Sequence, residues 1–235
     1  VHIHDLVNVP AVGDAIANQY SEGCFATWDT EIKSLIVTVT GSARPVHKGS
    51  ITEKDLAVIV GIRPDGKGAL IRHVEGKQKD PPSSEAVEMA GMDTVLPGIN
   101  LPADVNGRSA EPVIRSKLHM HRGISAYHPE YVEFLRLEAP YYHYPVSCAT
   151  EAQARGIIQA FSHSQALNNP DDPRQIVFTV LPTHGVVIAE KWVPGKDPFE
   201  VICDYVDQGR LVIDNRVPQG SLEFRPEGQV MVLKT

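Results

Sequence analysis

The apolar residues of this chain come in short β-branched runs, and this limits what it can fold into. Ile32 to Val39 (IKSLIVTV), Leu56 to Ile62 (LAVIVGI), Gln175 to Leu181 (QIVFTVL) and Gly185 to Ala189 (GVVIA) each have the length and composition of a buried strand. None approaches the roughly 18 apolar residues of a membrane span, so no membrane helix is expected. Turn signals close the runs, at Thr40-Gly41-Ser42 and at Pro64-Asp65-Gly66. Ala69 to His73 is expected to extend the sheet, and Leu222 to Leu233 to form a last hairpin.

Helical signals fall between these runs. Val7 to Tyr20 carries Val12, Ala15 and Ile16 at helical spacing, and Thr52 to Asp55 reads as one turn. Ile114, Leu118, His121 and Ser125 predict a helix over 112–127, with Pro112 in its first turn. Tyr131 to Glu138 then alternates as a strand, with Val132, Phe134, Arg136 and Glu138 on one face. Thr150-Glu151-Ala152-Gln153 is a capping box, and Asp197-Pro198 opens another helix over Phe199, Ile202 and Val206. Glu75 to Glu111 is rich in proline and glycine and reads as an irregular insertion, a lid or an oligomer contact. Strands cluster instead of alternating with helices. That predicts a single α/β domain with a mixed, mainly antiparallel sheet.

Composition narrows the function classes. The 235 residues suit one core, and 22 Lys+Arg against 29 Asp+Glu leave a net charge of −7. That balance argues against nucleic acid, whose binding runs on phosphate neutralisation. Val1 to Asp5 do not read as a signal peptide. Cys24, Cys148 and Cys203 are widely spaced, so a reducing, cytoplasmic setting is expected. No phosphate-binding glycine loop and no GxSxG elbow is present. Cys24 as a nucleophile competes with Cys24 as a small buried side chain.

Ten histidines raise the question of metal. His119-Met120-His121 has a His-x-His spacing. Two ligands at i and i+2 converge on a strand, but on a helix they diverge by about 200°. The expected helix over 112–127 therefore weakens this pair.

Several pieces, in order, resemble the class II aldolase/adducin family. Ser21 to Trp28 (SEGCFATW) is similar to its Ser-Gly-Gly-Asn turn and strand, and Val37 to Gly41 (VTVTG) to its Ile-Thr-Pro-Ser-Gly. Leu56 to Gly66 is similar to its Asp-Leu-Val…Asp-Gly, and Thr183-His184-Gly185-Val186-Val187 to its Asn-His-Gly-Val-Val. Ser116 to Pro140 resembles its central segment, with Ile124, His128-Pro129-Glu130 and Pro140 at matching spacing. The likeness spans about Asp5 to Arg210. It implies a three-layer α/β/α sandwich, a homotetramer, and lyase or epimerase chemistry with one divalent metal held by His-x-His and a later His. A Glu does the acid/base work in that family.

Two registers are open. In the first, which keeps the Pro-Glu turn and Pro140 without gaps, the His-x-His positions read Arg136-Leu137-Glu138 and the third ligand is His184. The acid/base position then reads Lys117, and the substrate-contacting Asn reads Cys24. In the second, Ser83-Ser84-Glu85 copies the family's Ser-Ser-Glu, and His119 and His121 join His184 as the metal set. The first register is the one preferred from sequence. It implies a lyase without the usual zinc, cleaving a carbon–carbon bond of a small anionic hydroxy, keto or phenolic acid. Lys117 and Arg136 would supply positive charge, and Glu138 or His184 would move a proton. Cys24, Thr40, Gly41 and Tyr142 would contact substrate, the last from the aromatic run Tyr141 to Tyr144. The alternatives are a non-catalytic, adducin-like scaffold and a metal-dependent aldolase, epimerase or dehydratase.

Overall fold

The computed structural model describes residue 6 and residues 23–39, 51–65, 68–73, 81–94, 112–138, 150–216 and 223–234. The expected helix over 7–20, Thr40, Gly41 and Tyr142 lie outside the described residues.

The described residues are mixed α/β, with two sheets and four helices. The larger sheet has eight strands: β1 (Cys24–Asp29), β2 (Ser34–Thr38), β3 (Leu56–Ile62), β4 (Ala69–His73), β5 (Ile114–Met120), β7 (Val132–Leu135), β8 (Ile176–Leu181) and β9 (Gly185–Lys191). Their order is β4-β3-β2-β1-β5-β9-β8-β7. Every pairing is antiparallel except β7 with β8. The smaller sheet joins β6 (Gly123–Tyr127), β10 (Leu211–Asp214), β11 (Phe224–Glu227) and β12 (Val230–Leu233) in the order β10-β6-β12-β11.

The four helices are α1 (Ala86–Thr94), α2 (Glu151–Ser162), α3 (Gln165–Asn168) and α4 (Glu200–Asp207). On one face of the large sheet, Met89, Ala90 and Met92 of α1 and Ile157 and Phe161 of α2 pack on Cys24, Ala26, Val37, Val187 and Ala189. On the other face, Leu118, Met120, Phe178 and Ile188 meet Val201, Ile202 and Tyr205 of α4, together with Ile124 and Tyr127 of the small sheet. That face is shared by a helix and a second sheet.

The β-branched runs fold as expected. Three readings need correction. First, 112–127 is not a helix: it is β5 and β6. β5 is buried along nearly its whole length because it lies between β1 and β9. Ile114 and Leu118 are four apart, a spacing that fits the period of two as well as the helical one, so the helical match was not specific. Second, Glu75 to Glu111 is not irregular throughout, since α1 belongs to the core. Third, Thr150 does cap α2, accepting from Gln153 N at 3.3 Å, but the Gln153 side chain does not reach back. Its Nε2 donates instead to Glu88 of α1, at 3.4 Å and 3.5 Å to the two oxygens. That bond joins the two helices.

Candidate metal centre

β5 is a central strand that carries polar side chains, and each is met by a specific partner. Ser116 shares a hydroxyl contact with Thr27 at 3.2 Å. Lys117 donates to Asp93 of α1 at 2.5 Å. His119 Nδ1 lies 3.0 Å from Val186 O. A carbonyl only accepts, so Nδ1 carries the hydrogen and Nε2 keeps its lone pair. His119 is fully buried, and its Nε2 has no hydrogen-bond partner.

His121 follows the last residue of β5 and points to the same side as His119, by the period of two. His184 comes from the turn between β8 and β9. That turn is tight: His184 N donates to Leu181 O at 3.0 Å, and Thr183 takes φ +65°. A β-branched residue in the left-handed region is costly, and such strain collects at functional sites. The three rings come together, with centroids 5.0 Å (His119–His121), 4.6 Å (His119–His184) and 4.7 Å (His121–His184) apart. One ring nitrogen from each lies within 4.8 Å of the other two. This is the one cluster of three or more potential metal ligands among the described residues.

Gly185 makes the approach of the two segments possible. Its φ is +142°, and a Cβ there would sit 2.1 Å from Met120 O and 2.9 Å from His121 Cα. Backbone cannot yield as a side chain tip can. Gly185→Ala is expected to cost about 3 kcal/mol or more, combining strain and overpacking. Thermal unfolding checks this, and an unchanged Tm would contradict it.

Glu85 stands just before α1 and beside His119. Ser83 Oγ and Ser84 Oγ each donate to it at 2.6 Å, one to each carboxylate oxygen. Burial opposes its ionisation. The two hydroxyls, which donate to the charged form, offset that, and the carboxyl lies below its ordinary range. His119 is pushed down to about 3, first by burial, and stays a neutral imidazole. One turn further on, Glu88 is wholly buried, and burial followed by Glu85 raises its pKa well above the usual range. Cys24 pairs with His119 across β1 and β5. It is fully buried, and burial and then Glu85 push its thiol up to about 12, so it is a neutral side chain and not a nucleophile. A cleft of about 290 Å³ opens beside Ser83 and Ser84, lined also by Arg63, Pro82, Val87 and Thr150.

The structure thus brings together His119, His121, His184 and Cys24. It does not bring Arg136 and Glu138 to them. Both are exposed, past the end of edge strand β7, which is three strands from β5. At about 4.8 Å per strand that is roughly 14 Å across the sheet. Glu138 accepts from Gln159 Nε2 at 2.5 Å. Lys117 is on the right strand but is sealed in an ion pair, with Lys117 and Asp93 each 1% exposed. Glu85 is the site residue that the preferred register left out. Its signal was in the sequence, in Ser83-Ser84-Glu85.

Three imidazoles, one with a buried and unpartnered nitrogen, fit a borderline divalent ion such as zinc, cobalt or nickel. The carbonyl of Val186 orients His119 from behind, as a supporting hydrogen bond does for a metal-binding histidine. Among the described residues no helix is long and apolar enough to cross a membrane. No family model, characterised protein or solved structure matches the chain.

Proposed function

We propose that the chain is a divalent-metal-dependent lyase that cleaves a carbon–carbon bond in a small anionic hydroxy or keto acid. The observation that carries this reading is the convergence of His119, His121 and His184, with one nitrogen from each within 4.8 Å of the others. These three would hold the ion. When bound, the ion supplies a Lewis acid that stabilises negative charge developing on a substrate oxygen. Glu85, held on both oxygens by Ser83 and Ser84, is the group that takes a proton from the substrate and returns it. The neutral Cys24 thiol forms an uncharged wall beside His119. The three-layer α/β/α description, the homotetramer and a cytoplasmic location belong to the same proposal, and they rest on the family resemblance.

The resemblance therefore serves in its second register, with Ser83-Ser84-Glu85 and His119-x-His121 at the working positions. The test is metal analysis of the purified chain after incubation with zinc, cobalt and manganese salts. One divalent ion per chain is expected. Turnover against a panel of hydroxy, keto and phenolic acids should stop with chelator and return with the ion. A chain that takes up no ion from any of the three salts overturns the proposal.

A further inference from the structure

The turn that carries His184 is strained at one residue, and nothing in the packing of the fold requires that residue. Pro182 holds its own φ at roughly −65°. Thr183 follows at φ +65°, and His184 N donates to Leu181 O at 3.0 Å. That is the pattern of a type II turn, whose third position ordinarily takes glycine or asparagine. A β-branched residue is the costly choice there. Gly185, by contrast, answers a need: its φ is +142°, and backbone stands where its Cβ would be. Pro182 and Gly185 are buried, but Thr183 is exposed. Its side chain adds nothing to the core, and its hydroxyl bonds to no described residue.

Its place in the site is specific. His119 is fully buried, whereas His121 and His184 are half-buried. The cluster therefore opens toward the end of β5 and the β8–β9 turn, and Thr183 is the chain neighbour of His184 on that open side. We propose that Thr183 is a specificity-determining residue: its hydroxyl donates a hydrogen bond to a carboxylate oxygen of an acid bound at the ion. This rests on the metal-dependent reading above and names the group that reads the acid.

The chemistry of the side chain fits the role. A hydroxyl both donates and accepts, so it suits a ligand with a carboxylate beside a hydroxyl. The β-methyl restricts χ1, which holds the hydroxyl to few directions. Buried Pro182 and Gly185 fix the backbone near it on both sides. The strain is thus set by the fold before the ligand arrives, and the ligand meets a group that needs little ordering.

Glycolate, the smallest hydroxy acid, tests this on the cobalt(II)-loaded chain, since the visible band of cobalt(II) responds when a ligand joins the ion. Thr183→Gly gives the turn the residue it calls for and removes the hydroxyl. Its Tm should rise by about 2–4 °C, with part of the relief taken back by the freer unfolded chain. Its cobalt affinity should stay within about threefold of the wild type, while its Kd for glycolate rises about 10-fold. Thr183→Ser keeps the hydroxyl and should recover most of that affinity. A Thr183→Gly chain that binds glycolate as the wild type does overturns the proposal, and so does a cobalt-loaded wild type whose band does not respond to glycolate. A Tm no higher than that of the wild type removes the strain that singles Thr183 out, and overturns it too. A parallel loss of cobalt affinity in Thr183→Gly would make Thr183 a positioning residue for His184 and overturn its contact with the ligand. A wild type that takes up no cobalt is a separate failure, that of the metal reading itself, and takes this proposal with it.

Discussion

His119→Ala is expected to empty the metal centre. Affinity for the divalent ion should fall by well over 100-fold, since even a supporting residue behind a metal-binding histidine is worth about 10- to 100-fold. Turnover should fall by about the same factor or more. The fold should survive, because the ring has one hydrogen bond to lose, to Val186 O at 3.0 Å. The lost ring volume leaves a cavity, and a modest drop in Tm is expected from it. Glu85→Gln separates binding from chemistry. It keeps the shape and an acceptor for the Ser83 and Ser84 hydroxyls, but cannot take a proton. Metal content should stay near one ion per chain while turnover drops by about 10²- to 10⁴-fold. Isothermal titration with zinc, beside turnover of the same preparations, reads both effects. Full ion occupancy in His119→Ala would remove this histidine from the site. Unchanged turnover in Glu85→Gln would remove the proton-transfer role of the carboxylate and leave the ion in place.

Much of the sheet was legible because its strands are β-branched and apolar. The three histidines were visible too, but their geometry was not. His119 and His121 converge only if their segment is a strand, and β5 conceals that. Ile114, Leu118 and Met120 do fall at alternate positions, but both faces are buried, and Ile114, Leu118, His121 and Ser125 also fit the helical spacing. Its buried polar residues, Ser116, Lys117 and His119, interrupt the apolar run that would have marked it as a strand. Each is tolerated because a distant residue satisfies it: Thr27, Asp93 and Val186. Those pairings span 24 to 89 residues, and no local pattern reports them. Once β5 is a strand, the gap-free alignment that placed Arg136 and Glu138 at the metal positions loses its advantage.

The ion pair that disguised β5 leads to the second large effect. Lys117→Met and Asp93→Leu are each expected to destabilise the fold by about 3–5 kcal/mol, because each leaves the other charge buried and uncompensated. The two side chains are 1% and 2% exposed, and their contact is 2.5 Å. Burial lowers the Lys117 pKa and raises that of Asp93, and in each case the partner works the other way. Desolvation therefore dominates, and the pair as a whole adds little stability over an apolar replacement. The double variant Lys117→Met/Asp93→Leu should consequently recover most of the loss, to within about 1–2 kcal/mol of the wild type. Urea unfolding of the four proteins measures this cycle. Single variants within about 0.5 kcal/mol of the wild type would mean that water reaches the pair. A double variant as unstable as the sum of the singles would mean that the pair is a net stabiliser after all. The pair also fixes geometry that an apolar contact would hold less tightly. Lys117 is two residues before His119 on the same strand face, and Asp93 is at the far end of the helix that begins beside Glu85. The double variant should then fold well and still bind its ion, with a Glu85 less exactly placed and a lower turnover. That combination separates the role of the pair in positioning from any role in stability.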